Sequence, residues 1–344
     1  MRSALAIAGN SLVCLGDGEP WRGYVIYLSE SLRAEPDIRV AKEGGWSSFT
    51  DRTVLAKRRP WSHLPGLDRH LRYAQFAGRS LPVLRWLRGE YGRDDLPLLA
   101  GVPSPLTVSA VLFGVPGPIL YRRAVRRATA REIARIHQLG QDVVVQIELP
   151  AETVAVARAP RALQRHAARL LAADVHRLVR TIPAGTRMAV HLCLGSLHGQ
   201  PAYLPQTLMP LVDLANALAR GWPADRGLEL VHLPVTTVVD RARLDQEFYA
   251  PLTRLDLPTG THLAAGLVTA QRPEREQALA LRHIRAATPA AIPLHVSPPC
   301  GLLSEAESDA GLVVHRAFRL AQALGSGFEV DDVWLGGDAR ADAG

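Results

Sequence analysis

The chain has 344 residues, 47% of them hydrophobic, which suffices for a large buried core and excludes extensive disorder. Its 40 lysines and arginines against 33 acids give a net charge of +7, yet only Lys42 and Lys57 are lysines and the arginines are spread along the chain. Dispersed charge of this kind is not a nucleic-acid footprint, which needs clustering on one face.

From the N-terminus, an apolar start is broken by Gly9-Asn10-Ser11 before it reaches signal-peptide length. A first strand is expected at 11–15, running into the turn Gly16-Asp17-Gly18-Glu19-Pro20-Trp21-Arg22. The region 22–96, with Gly44-Gly45, Ser47-Ser48 and the basic Lys57-Arg58-Arg59-Pro60, reads as an insertion containing a hairpin or lid. Strands follow at 97–102, 142–147, 187–194, 228–234, 261–268 and 292–297. Helical periodicity falls at 122–139, 161–181, 208–220, 274–287 and 310–324. The apolar stretch 105–121 carries Gly114, Pro116, Gly117 and Pro118 and falls short of a membrane span.

Strands alternating with helices predict a parallel sheet. The expected architecture is a single α/β domain over 1–335, a TIM (β/α)8-type barrel with an atypical first strand and the 22–96 insertion. Residues 330–335 are a candidate eighth strand and 336–344 a disordered tail. The expected partner is a small-molecule substrate, with neither nucleic acid nor membrane, and with self-association left open.

In such a barrel the chemistry gathers at the C-terminal ends of the strands. One strand ends in Val190-His191-Leu192-Cys193-Leu194-Gly195. Side chains alternate along a strand, so His191 and Cys193 face the same way and can share a metal ion. The last strand ends in Pro298-Pro299-Cys300-Gly301, and another carries His232. Thiolates with imidazole select zinc over magnesium or calcium. The competing reading is structural, since free cysteine and lone histidine are often simply buried. Packing is also the larger expectation for Cys14. With three cysteines so widely spaced, no disulfide framework is expected, and a reducing cytoplasm is the expected setting.

Another strand ends in Val145-Gln146-Ile147-Glu148-Leu149-Pro150, where Glu148 can bind an ammonium group or act as a base. Gly16 and Gly18 complete no dinucleotide fingerprint, no phosphate loop occurs, and Gly195-Ser196-Leu197-His198-Gly199 is not a nucleophile elbow. The arginines at 122, 123, 126, 127, 131 and 135 read as the solvent face of an outer helix.

Taken in order, these segments resemble the barrel superfamily of cobalamin-independent methionine synthase and uroporphyrinogen decarboxylase, and more closely its single-barrel methionine-synthase-like members. Gly101-Val102-Pro103-Ser104-Pro105-Leu106-Thr107 is similar to the family's glycine-proline strand end. Gln146-Ile147-Glu148-Leu149-Pro150 is similar to its Gln-Ile-Asp-Glu-Pro segment, His191-Leu192-Cys193 to its His-x-Cys pair, and Cys300-Gly301 to its last zinc cysteine. The resemblance implies zinc held by His191, Cys193 and Cys300, with His232 or Glu229 where the family has a glutamate ligand.

It further implies a transferase moving a methyl or other alkyl group to a small thiol-type acceptor. Glu148, Asp17 and Glu19 are then the candidate catalytic residues, and Arg22, Gln146, Ser104 and His198 the candidate substrate-binding ones. Two features depart from the family: Leu149 stands where it has a second carboxylate, and a strand before the Asp-Gly-Glu turn has no counterpart. With His232 as fourth ligand the centre would be neutral, a stronger Lewis acid with a less nucleophilic bound thiolate, which argues against homocysteine methylation itself. The alternatives are a lyase or decarboxylase of a small polar metabolite on the same barrel, and a non-catalytic binding barrel.

Overall fold

Runs of apolar and β-branched residues with no polar face demand burial on both sides, and seven of them form one parallel sheet. A computed structural model describes residues 1–17, 24–59, 66–237, 243–302 and 306–325. The strands of the sheet are β1 (Leu15–Gly16), β4 (Leu98–Pro103), β5 (Val143–Glu148), β6 (Met188–His191), β7 (Leu228–Pro234), β8 (His262–Gly266) and β9 (Leu294–Ser297). Strands β2 (Ile38–Lys42) and β3 (Val54–Lys57) form a separate antiparallel hairpin.

The main sheet has the order β1-β4-β5-β6-β7-β8-β9, each strand beside its successor and with no reversal, which excludes a doubly wound sheet. It is curled, since residues of both β1 and β9 line one interior cavity. Among the described residues β1 and β9 are not paired with each other. The helix Glu307–Gly325 packs against the N-terminal helix Arg2–Ala8 and against β9, and so covers that side. The candidate eighth strand at 330–335 and the tail lie outside the described residues.

Six of the seven expected strands are present with some ends moved, and the first, expected at 11–15, is reduced to the two-residue Leu15–Gly16, with Gly9–Ser11 forming a 3-10 turn. The strand expected at 187–194 ends at His191, although Leu192 N–H still bonds the His232 carbonyl at 2.9 Å, so the chain stays extended one step further. The region expected to be an insertion is not all lid. It contains the helix Tyr73–Tyr91, which buries Phe76, Leu81, Leu84 and Leu87 as an outer helix beside β4. The hairpin does reach the C-terminal end of the sheet. In the loop between β2 and β3, Arg52 donates to the carbonyls of Val111 and Ala110 at 3.1 and 3.4 Å, and the Trp46 carbonyl accepts from His198 Nε2 at 2.8 Å. No described helix is long and apolar enough to cross a membrane.

Candidate metal centre

Register places the site. Glu148 pairs with His191 across β5 and β6, and His191 with His232 across β6 and β7. Side chains at paired positions of a parallel sheet point to the same face. These three therefore share one inward layer at the C-terminal end of their strands, and all three line the interior cavity of about 1010 Å³.

Cys193 and Cys300 are 107 residues apart in the chain, yet their sulfurs stand 3.9 Å apart. The ligating atoms of His191, Cys193 and Cys300 all lie within 4.8 Å of one another, the one such group among the described residues. Two thiolates each about 2.3 Å from a tetrahedral zinc are about 3.8 Å apart, whereas a disulfide requires about 2.0 Å. The sulfurs thus have the spacing of a shared metal. His191 adds a second observation: both ring nitrogens are buried and without a hydrogen-bond partner. An imidazole left so is costly unless something else binds it, and a metal ion does so. Zinc fits this donor set.

The two thiols behave as one pair. Cys193 is pushed well up by its hydrogen bond with Cys300 and then by burial. Cys300 is held well below the ordinary thiol range by the same hydrogen bond, with His191 and the Gly301 backbone assisting against burial. The Gly195 N–H also donates to the Cys193 sulfur at 3.3 Å. The two sulfurs, each accepting from a backbone N–H, titrate as one coupled pair.

His232 stacks on His191, with ring centroids 4.2 Å apart and 22° between planes, but stands outside the three-residue group. Its Nε2–H faces the Pro298 carbonyl and Ser297 Oγ, each at 3.0 Å, while the Ser297 hydroxyl donates to the Ala265 carbonyl at 3.2 Å. These bonds fix the tautomer and leave Nδ1 as the lone-pair nitrogen. Burial first, and then His191, keep the ring neutral. Gly266 makes this crossing feasible: a Cβ there would lie 2.8 Å from Pro299 Cα and 2.9 Å from His232 Nε2. Glu229, the other residue considered for the fourth position, is held bidentately by Arg187 at 2.7 and 2.8 Å.

Asp17 and Glu148 line the same cavity. Burial lifts the Asp17 carboxyl to about 6, against hydrogen bonds from the Gly101 backbone and its own. Glu148 lies over Gly101, where a Cβ would come within 3.1 Å of Oε1. Gln146 lines the same wall with a buried Oε1 that has no hydrogen-bond partner. Carboxylates on this wall can accept hydrogen bonds from a ligand.

Other expected site residues are elsewhere. Ser104 is fully buried as the N-cap of the helix Pro105–Phe113, accepting from Thr107 N–H at 3.0 Å and donating to Thr107 Oγ1 at 2.9 Å. His198 is exposed, in left-handed backbone, and ties its loop to the hairpin through Trp46. Glu19 and Arg22 lie outside the described residues. Leu149 is fully buried in the core and does not line the cavity. Cys14 lines the cavity away from the sulfur pair, its thiol pushed up to about 11 by burial. Sequence reasoning missed Ser297 and Gly266, and read Gly101 only as part of a resembled strand end, since each matters through a strand that pairing brings beside it.

No protein-family model and no curated protein matches this chain. Among solved structures, a B12-independent methionine synthase from Shewanella sp. W3-18-1, determined in complex with selenomethionine, is similar with a TM-score of 0.57. The match has 15% identity and covers 94% of this chain and 84% of that one. At this identity the likeness is one of fold.

Proposed function

We propose that the chain is a zinc-dependent transferase that moves a methyl or other alkyl group to a small thiol-type acceptor. The observation that carries the reading is the convergence of His191, Cys193 and Cys300 from two distant strand ends into a group with metal-ligand spacing. The similarity in fold to a methionine synthase is consistent with it. On this reading the seven strands belong to a (β/α)8 barrel, with the site at its C-terminal mouth.

His191, Cys193 and Cys300 would hold the zinc, which when bound supplies the Lewis acidity that keeps an acceptor thiol ionised at neutral pH. Two thiolates balance the charge of the dication, and three protein ligands leave a fourth position open to the acceptor sulfur. Asp17 and Glu148 orient the acceptor by accepting hydrogen bonds from it, and Gln146 accepts a further one. His232, fixed by Pro298 and Ser297, presents a neutral ring against His191 and adds no charge to the centre. The test is a zinc determination on purified protein followed by an alkylation assay over a panel of small aminothiols. One zinc per chain and zinc-dependent thiol consumption, both lost in Cys193→Ser, support the proposal. Protein with no affinity for zinc, or zinc-loaded protein that consumes no thiol, overturns it.

Asp17 favours one second reading. A carboxyl that keeps its proton up to about 6 at the mouth can serve as a general acid in a lyase or decarboxylase. Carbon dioxide or an eliminated fragment as product, with no new sulfur–carbon bond, would decide for it.

A further inference from the structure

We propose that the loop between β2 and β3 is a clamp on the metal centre, with Phe49 the positioning residue that acts on Cys193 through Gly195. This deepens the proposed function and rests on its reading of Cys193 as a metal ligand.

Cys193 stands beyond the last residue of β6, so pairing within the sheet does not by itself fix its sulfur. The turn that follows does. Gly195 has φ +82°, the left-handed region that favours glycine, and in this conformation its N–H donates back to the Cys193 sulfur at 3.3 Å. A Cβ at Gly195 would lie 2.9 Å from Phe49 Cζ and 3.1 Å from Ala202 Cβ. Carbon atoms pack at about 3.5–4.0 Å, so the ring tip of Phe49 rests where a side chain would otherwise stand. With the ring and Ala202 filling that space, the Gly195 backbone has little freedom to turn its N–H away from the sulfur.

Phe49 is itself held from behind. Arg52 donates to the Phe49 carbonyl at 2.5 Å, and to the Val111 and Ala110 carbonyls in the last turn of the helix Pro105–Phe113 at 3.1 and 3.4 Å. A guanidinium on the carbonyl end of a helix is favourably placed. Asp51 closes the loop on itself, accepting from the N–H groups of Gly45 and Ser47 at 3.2 and 3.3 Å and from the Ser47 hydroxyl at 2.5 Å. The bond from His198 to the Trp46 carbonyl attaches the same loop a second time to the segment that carries Cys193. A path of contacts thus runs from the helix through Arg52, Phe49 and Gly195 to the Cys193 sulfur. A backbone N–H held on a ligand thiolate fixes its direction and draws off part of its charge, which is what supporting groups around a metal do.

The test compares the full-length wild type with Phe49→Ala, Gly195→Ala and the double variant. Three quantities are read: zinc affinity by chelator competition, the thiolate-to-cobalt charge-transfer band of cobalt(II)-loaded protein, and the rate at which iodoacetamide alkylates Cys193 in metal-free protein. Phe49→Ala should still bind one ion per chain, with zinc affinity lowered about tenfold, a shifted cobalt band and faster alkylation of Cys193. The double variant should bind zinc no more weakly than Gly195→Ala, because both changes act on one N–H. Phe49→Leu, which withdraws only the ring tip, is the second variant should Phe49→Ala fail to fold. Affinity, band and alkylation rate all at their wild-type values, or losses that add in the double variant, overturn the clamp and leave the zinc site standing. A wild type that binds no zinc, but whose Cys193 is alkylated faster once Phe49 is replaced, would keep the clamp and remove the metal reading.

Discussion

Replacing Gly266 by alanine adds a single methyl group where three chain segments cross. The new carbon would stand 2.8 Å from Pro299 Cα, 2.9 Å from His232 Nε2 and 3.0 Å from Pro234 Cα. Carbon atoms pack at about 3.5–4.0 Å, and two of these neighbours are backbone, so the segment leading to Cys300 must move outward. Overpacking of this kind costs about 1–3 kcal/mol, offset by about 0.4–1 kcal/mol from the lower entropy of the unfolded chain. The expected net loss is thus up to about 2.6 kcal/mol, centred near about 1.3 kcal/mol, read from urea unfolding. Because Cys300 directly follows Pro299, zinc affinity measured by chelator competition should also fall, by about 10- to 100-fold as for other disturbed supporting contacts. Gly16→Ala in β1 is the control, since a Cβ there meets nothing within 4 Å. If Gly266→Ala matches Gly16→Ala in stability and in zinc affinity, the steric argument is wrong.

Other outcomes follow from the same geometry. Asp17 binds its proton more tightly folded than unfolded, since burial lifts it to about 6, so it makes stability fall as pH rises from about 4 to about 6. Asp17→Asn should therefore be more stable than wild type at pH 7, by about 3 kcal/mol, and no more stable at pH 4 in urea titrations of the metal-free protein. Leu149→Glu, which restores the acid of the resembled family, places a carboxylate at a fully buried position and should cost about 3 kcal/mol or more in the same assay. An unchanged midpoint would show that this side chain can turn into the cavity. His232→Ala should retain one zinc per chain with affinity lowered about tenfold, because the ring supports His191 from outside the ligand group. Complete loss of zinc, as in Cys193→Ser, would make His232 a ligand.

The strands were legible because β5, β6 and β8 are nearly pure apolar runs, a pattern that only burial on both faces explains. Helices at the edge of the pattern were not. Pro105–Phe113 is apolar on every side and has no periodicity to detect, and Tyr73–Tyr91 is interrupted by Gly78, Pro82 and Gly89. In the site, strand alternation was enough to pair His191 with Cys193, and the order of segments pointed to Cys300. Chain order says nothing of side-chain occupation, so Ser104 reads as a candidate contact although its hydroxyl is spent capping a helix. Strand register decided the rest. The Ser297 and Pro298 support of His232 exists only because β7, β8 and β9 pair as they do.

X-ray absorption at the zinc edge of the loaded protein tests the central claim most directly. Two sulfur neighbours at about 2.3 Å and at least one nitrogen at about 2.0–2.1 Å are expected, and this zinc signal should be absent from Cys193→Ser and from Cys300→Ser. A zinc surrounded by nitrogen and oxygen alone, or a coordination shell unchanged in both variants, would contradict the assignment of the metal centre to His191, Cys193 and Cys300.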